Sequence, residues 1–337
     1  MNDIPVTMRA AVCDAPGVPL VMREVPVPTP GPGQYLVKLE ACGICHSDLH
    51  VQLGEEPMPP EAFPLILGHE GIGRIVAGQG PLALGTRIGL PWLYDTCQSC
   101  TPCLTGQETY CQSQRARGLD AFGAFAEYAL VETAFATEIP DTIDPVTGGP
   151  LLCAGLTAWS ALERCAVRAG QRLLIVGAGG LGQYALAIAR ARGLRVAVVD
   201  LDPAKRAQAL AHGAEIAVPP EAVAQITAWG GADITLNFAP SPKVWEMIAA
   251  CANPLSQIVA VALVHDPVPL SMMWLINGGH KVMGSSVGTR AELRAYLNFA
   301  ARHLPPVEIE ALPFDQVQAG LERLARGAVR GRLVLRF

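Results

Sequence analysis

Leu174-Ile175-Val176-Gly177-Ala178-Gly179-Gly180-Leu181-Gly182 is the stretch that decides the fold. An apolar β-type run feeds directly into glycines spaced GxGxxG and from there into an apolar-faced helical segment. Gly177 permits the tight turn, Gly179 lets a pyrophosphate approach the backbone, and Gly182 lets helix and strand pack closely, with Gly180 and Leu181 inside the same turn. A second apolar run, Arg195–Val199, ends in Asp200, about 20 residues further on, where a carboxylate can accept hydrogen bonds from an adenosine ribose. The combination predicts a βαβ unit that binds a dinucleotide.

Outward from this unit the same alternation continues. Arg172–Val176 is the first predicted strand, Gly180–Arg192 the first helix and Arg195–Val199 the second strand. Further strands are expected at Glu215–Val218, Asp233–Asn237 and Gln257–Val261, separated by segments of helical character, which predicts an α/β doubly wound parallel sheet. Before it, from Met8 to about Gly148, short β-type runs such as Leu36–Leu39 and Ile72–Val76 are punctuated by proline and glycine, as in Pro26-Val27-Pro28-Thr29-Pro30-Gly31. That half reads as a β-rich domain with long loops. After about Gly284 one helix is expected to carry Leu293, Leu297 and Ala300, and a second Phe314, Val317, Leu321 and Leu324, before a closing strand at Leu333–Phe337.

Composition narrows the function classes. A chain of 337 residues is too long for one ordinary core, and with half its residues apolar and 16% charged it belongs with globular proteins. A formal net charge of −5 and no clustered Lys/Arg block leave little to hold a phosphate backbone or an anionic membrane surface, so no nucleic-acid and no membrane partner is expected. The N-terminus, MNDIPVTMRAAVCDAPG, does not read as a signal peptide. The most apolar stretch, Gln257 to Ile276, is interrupted by His265, Asp266, Pro267 and Pro269, which predicts no membrane span. A cytoplasmic location is therefore expected, and ten cysteines in such a chain point to metal binding or catalysis rather than to disulfides.

The cysteines fall into patterns. Cys97-x2-Cys100-x2-Cys103-x7-Cys111 places four thiols within one short loop, enough to wrap a tetrahedral zinc and leave no open position, the mark of a structural site. Iron is the rival ion for four thiolates. A second constellation is spread out: Cys42-Gly43-Ile44-Cys45-His46-Ser47-Asp48-Leu49-His50, then Gly68-His69-Glu70, then Leu152-Cys153-Ala154-Gly155. A catalytic zinc needs three protein ligands and an open fourth position. Spacing alone does not pick which three of these thiolates and imidazoles serve.

These motifs together resemble the zinc-dependent medium-chain alcohol dehydrogenases over almost the whole chain, with the microbial primary-alcohol enzymes as the nearest likeness. The resemblance implies a β-rich GroES-like catalytic domain over 1–154, an NAD-binding Rossmann domain over 155–285 and a return to the catalytic domain over 286–337. It implies Cys45, His69 and Cys153 as ligands of a catalytic zinc, with Cys42 outside the set, and Cys97, Cys100, Cys103 and Cys111 as ligands of a structural zinc, hence two Zn2+ per subunit. Ser47 would take the alcohol's proton and pass it through the cofactor ribose to His50. His46 would lie near the cofactor pyrophosphate, Asp48 would fix the His69 ring, and Glu70 would sit behind the zinc. Lys205 matches a ribose-contacting lysine, and Arg332 would reach back to the pyrophosphate.

The predicted reaction is reversible hydride transfer between a small, primary alcohol and NAD, giving an aldehyde. Asp200 favours NAD because its charge repels the 2′-phosphate of NADP, while Arg206 is a nearby cation that could hold one. Trp92 matches an aromatic pocket wall. Glu56 departs from the bulky apolar residue common in ethanol-type enzymes and would widen or polarise the pocket mouth; Thr86 and Phe122 are further departures. Within the same fold the alternative is an NADP-preferring aldehyde reductase or a polyol dehydrogenase. From another class it is a non-catalytic nucleotide-binding structural or sensory protein. The family pattern also implies a homodimer or homotetramer. Cys13, Cys165 and Cys251 are expected in packing roles.

Overall fold

The computed structural model describes residues 4–337 apart from 57 and 265; the first three residues of the N-terminal reading and the chain interruption at His265 lie outside the described residues. Two compact units emerge. One comprises the residues up to Ala154 together with Thr289–Arg302 and Glu308–Phe337, and the other Gly155–Gly288 with His303–Val307.

In the second unit, strands form where β-branched and leucine runs can be covered on both faces. Leu173, Leu174, Ile175 and Val176 are buried, as are Val196 to Val199, the pattern of a parallel sheet with helices on both sides. Among the described residues the sheet has six parallel strands in the spatial order Ile216–Val218, Arg195–Val199, Arg172–Val176, Ala232–Asn237, Ala252–Ala260 and Lys281–Gly284. Numbered within the unit, that order is 3-2-1-4-5-6. Its direction reverses between Arg172–Val176 and Ala232–Asn237, the crevice where doubly wound sheets take their ligands. The helix Gly180–Ala191 buries Tyr184, Leu186 and Ile188. The core beneath joins Leu174, Val176, Ala197, Val199, Ile226, Trp245, Ile248 and Ile258.

The first unit is built on antiparallel pairing. Its long strand Gln34–Ile44 lies between Gly71–Gly78 and the C-terminal strand Arg332–Arg336, and also pairs with Tyr128–Glu132. Arg332–Arg336 continues in parallel to Ile309–Pro313. A smaller sheet joins Val21–Pro26, Thr7–Cys13 and Leu65–Ile66. Two registers matter for the site: Leu333 opposite Ile44 and Gly71 opposite Cys42. They carry Arg332 and Glu70 to the end of the strand that delivers Cys45.

The later elements differ from expectation in detail. The helix expected from Phe314 begins as a 3-10 turn, Phe314–Gln316, after Pro313, and becomes α-helical at Val317–Ala325; the tighter turn follows directly from the extended backbone of the proline. The strand expected at Gln257–Val261 runs over Ala252–Ala260. Cys13, Cys165 and Cys251 are all buried. Among the described residues no helix is long and apolar enough to cross a membrane.

Candidate active site

Cys45 follows the last residue of Gln34–Ile44 and stands before the helix His46–Leu53. Asp48, in the first turn of that helix and buried, organises the surroundings. Its Oδ2 accepts from the Cys45 backbone N–H at 2.9 Å, and its Oδ1 accepts from Gly68 N–H at 3.0 Å and lies 3.0 Å from His69 Nδ1. One carboxylate thus fixes the helix start, the backbone before His69 and the orientation of the imidazole. The His69 ring stands edge-on to Trp92, with centroids 5.0 Å apart. Cys153 arrives from the 3-10 turn Gly149–Leu152.

One donor atom from each of Cys45, His69, Glu70 and Cys153 lies within 4.8 Å of the others, and all four residues are buried. With Nδ1 occupied by Asp48, His69 Nε2 is buried without a hydrogen-bond partner among the described residues. Leaving a polar atom so placed is costly unless something binds it. Hydrogen bonding from the Cys153 thiol, opposed by burial and assisted by His69, holds the Cys45 thiol well below its ordinary range, and the same hydrogen bond, with burial, pushes Cys153 well above it. Burial works against a charged His69, but Asp48 outweighs it and raises the ring. Two sulfurs and one imidazole that share a buried pocket fit a divalent cation, which would leave a centre near zero net charge. Behind them Glu70 is raised by burial and drawn down by Arg332, whose Nη2 donates to Glu70 Oε1. Gly43 is required here, because a Cβ would come within 1.8 Å of Glu70 Oε2. Cys42 sits outside the cluster, buried in the strand with its thiol pushed well up by burial.

The four-cysteine loop closes on itself. Its sulfur separations are 3.9 Å for Cys97–Cys103, 3.5 Å for Cys100–Cys103 and 3.5 Å for Cys97–Cys111. A tetrahedron with metal–sulfur bonds of about 2.3 Å has edges of about 3.8 Å, so these thiols fit a zinc-sized ion. Hydrogen bonds from the backbone and side chain of Ser99 and from Cys100 lower the Cys97 thiol to about 5, which favours the thiolate a metal needs.

The glycine turn of the second unit has the matching physical form. Gly177 has φ +98°, and a Cβ on Gly182 would stand 2.1 Å from the Gly177 carbonyl oxygen. A Cβ on Gly179 would meet nothing within 4 Å, so its backbone is open to a ligand. Asp200 accepts from Ala178 N–H at 2.7 Å through Oδ2 and from Asp202 N–H at 2.9 Å through Oδ1. Arg206 Nη1 donates to the carbonyls of Asp200 and Leu201 at 2.8 Å each. Lys205 is half-buried in a small pocket with Ala178 and Gly182.

Known proteins resemble this chain in sequence and fold. The alcohol dehydrogenase GroES-like domain matches residues 31–141, and the zinc-binding dehydrogenase domain matches residues 180–302. An alcohol dehydrogenase of Geobacillus stearothermophilus is 37% identical over 98% of this chain and 99% of its own length. Another, of Rhizobium meliloti (strain 1021), is 39% identical over 98% of each. The chain belongs to the medium-chain alcohol dehydrogenase family. A cinnamyl alcohol dehydrogenase of Sorghum bicolor, 29% identical, superposes with a TM-score of 0.89 over 98% of this chain and 97% of that one. The fold of this family member is accordingly a GroES-like domain with a Rossmann domain, and its chemistry is oxidoreduction of alcohols.

Within this dehydrogenase the remaining residues singled out by sequence divide. Ser47 Oγ lies 4.0 Å from Cys45 Sγ. His50 is half-buried on the same helix, and the His46 and His50 rings are 6.3 Å apart. Trp92 packs on His69, whereas Glu56 lines a cavity of about 570 Å³ with Met58, Leu65, Arg115, Leu119 and Phe122. That lining includes neither Trp92 nor any donor of the buried cluster, so the two pocket residues occupy different places. Sequence reasoning missed Glu55, whose carboxylate meets His50 Nδ1; the glycine at 54, ending a helix that carries His50, was its only signal. It also missed the ion pair of Glu108 with Arg290, two residues separated by most of the chain.

Proposed function

We propose that this family member oxidises small, primary alcohols reversibly to aldehydes with NAD and holds two zinc ions per subunit. Cys45, His69 and Cys153 would hold the catalytic ion, and Cys97, Cys100, Cys103 and Cys111 the structural one. The observation that carries the reading is His69 Nε2, buried beside two thiols without a hydrogen-bond partner among the described residues while Asp48 holds the opposite ring nitrogen. When bound, the catalytic zinc supplies Lewis-acid charge that polarises the alcohol or aldehyde oxygen.

The chain's own groups do the rest. Ser47 would accept the hydroxyl proton and His50 would release it to water, the ribose hydroxyls of the bound cofactor supplying the connection. Asp48 keeps the His69 ring in register, and Glu70 with Arg332 forms a compensated pair behind the cluster. Arg332 would provide positive charge for the cofactor pyrophosphate, and His46 a cation or a hydrogen-bond donor. Gly177, Gly179, Gly180, Leu181 and Gly182 seat that pyrophosphate, while Asp200 and Lys205 meet the adenosine ribose. The Asp200 carboxylate opposes a 2′-phosphate, and Arg206 is turned onto backbone carbonyls, which supports NAD over NADP. Trp92 walls the substrate site, and Glu56 polarises the cavity it lines.

We further place the enzyme in the cytoplasm, where ten unpaired thiols persist in the reduced state that metal ligands need, and as a homodimer or homotetramer. Lys281–Gly284 is the edge strand of its sheet, and the strand beside it and the helix before it carry the exposed apolar side chains Leu255, Met273 and Ile276, features suited to a second copy.

One preparation tests these points. Elemental analysis should give two zincs per subunit in the wild type and about one in Cys153→Ser, with turnover of primary alcohols lost in the variant. NAD should be used in preference to NADP, and sedimentation should show a species larger than the monomer. Unchanged zinc content with retained turnover in Cys153→Ser would overturn the ligand assignment; NADP preference or a monomer would overturn the cofactor and assembly assignments respectively.

A further inference from the structure

The helix His46–Leu53 ends at Gly54, which adopts φ 74° and ψ 24° and returns its N–H to the carbonyls of His50 and Val51. The next N–H, that of Glu55, donates to the His50 carbonyl at 2.9 Å. This glycine-terminated cap folds the chain back over the last turn, and it brings the Glu55 carboxylate onto the side chain of His50, where Oε2 meets Nδ1. Both side chains are partly exposed, 36% for His50 and 53% for Glu55. The other imidazole close by is His46.

A carboxylate only accepts hydrogen bonds, so Nδ1 of the neutral ring must carry the proton that Glu55 receives. Nε2 is then left with a free lone pair. We infer that Glu55 is a positioning residue for the proton relay: it locks His50 in the Nδ1–H tautomer and orients Nε2 as the atom that takes the proton. The inference rests on the relay proposed above.

In alcohol oxidation the proton lost by the hydroxyl reaches His50 Nε2 and makes the imidazolium, whose new charge lies against Glu55. The ring then gives one proton to water and regains the neutral form. In the reverse direction a proton from water charges the ring and Nε2 returns it toward the aldehyde oxygen. The logic is that of the orienting carboxylate in serine-protease triads, here on a wet surface, where the effect is correspondingly smaller.

The test compares Glu55→Gln, Glu55→Asp and His50→Gln in the zinc-loaded enzyme, with kcat, KM and the dependence of rate on buffer-base concentration as readouts. A base in solution can replace a failed relay but cannot repair a merely loosened loop. Glu55→Gln is expected to lower kcat by about fivefold with KM nearly unchanged and to make the rate rise with imidazole buffer, Glu55→Asp to fall between it and wild type, and His50→Gln to show the largest loss with the same buffer rescue. If His50→Gln is slow and rescued while Glu55→Gln keeps the wild-type rate without buffer dependence, the role of Glu55 is overturned and the relay stands. If Glu55→Gln is slow but insensitive to buffer, its role is structural and the inference also fails. A His50→Gln enzyme as fast as wild type would overturn the relay itself and Glu55's part with it.

Discussion

Removing the Glu108 carboxylate should loosen the attachment of the four-cysteine loop. Glu108 is 8% exposed and sits three residues before Cys111; its Oε1 accepts from Arg290 N–H and Nε at 2.9 Å each, and its Oε2 from Arg290 Nη2 at 2.6 Å. Arg290 also donates to the Ala134 carbonyl at 2.8 Å and lies 4.1 Å over the Phe135 ring. It opens the helix Arg290–Ala300, so one carboxylate ties the loop to a helix start. Breaking a buried ion pair from one side costs about 3–5 kcal/mol. Because the arginine is 23% exposed, water recovers part of its charge, and we expect about 3 kcal/mol for Glu108→Ala and about 1 kcal/mol for Glu108→Gln.

The pH dependence of that loss follows from the same contacts. Burial alone would raise the Glu108 carboxyl, but the hydrogen bonds and charge of Arg290 outweigh it and hold the group below its usual value. A carboxyl depressed in the folded state contributes stability that is fully present above its unfolded value, about 4.3, and is lost as pH falls through the lower folded value. Urea unfolding of wild type and Glu108→Ala should therefore show the full gap at pH 7 and a closing gap below about pH 4. Taking the difference between the two proteins cancels the titration of the cysteines they share. A loss under about 1 kcal/mol at pH 7, or a gap that does not close in acid, would refute the reasoning.

Two further outcomes concern the dinucleotide turn. Gly182→Ala places a methyl group 2.1 Å from the Gly177 carbonyl oxygen, so the turn must open; we expect about 2 kcal/mol of destabilisation and at least roughly tenfold weaker NADH binding by fluorescence titration, and wild-type affinity would show that the close helix–strand approach does not set the turn. Asp200→Ser removes the charge that opposes a 2′-phosphate and weakens the hold on Ala178 and Asp202 N–H. The ratio of kcat/KM for NADP over NAD should rise by about tenfold or more, and an unchanged ratio would remove Asp200 as the discriminator.

The sequence by itself determined what is local. GxGxxG after an apolar strand requires a turn in which Gly177 takes a positive φ and Gly182 has no room for a Cβ, and the βαβ alternation follows from periods of about 2 and 3.6 residues that each segment carries alone. The cysteines of 97–111 likewise had to form one loop, because their separation leaves the chain no other way to bring four thiols together. Tertiary structure decided the rest. Spacing left open which thiols and imidazoles of the second constellation meet, and the antiparallel register, Gly71 against Cys42 and Leu333 against Ile44, brings Glu70 and Arg332 to Cys45 while turning Cys42 into the core. The family resemblance implied the contact of Asp48 with the His69 ring, but its hold on the Cys45 and Gly68 N–H groups and the pairing of Glu108 with Arg290 are invisible in the chain, since contacts between distant residues depend on strand register and loop closure, which no local pattern encodes. Glu55 lies between these cases: the helix and its glycine stop were legible, but only the geometry of the cap placed its carboxylate on the His50 ring.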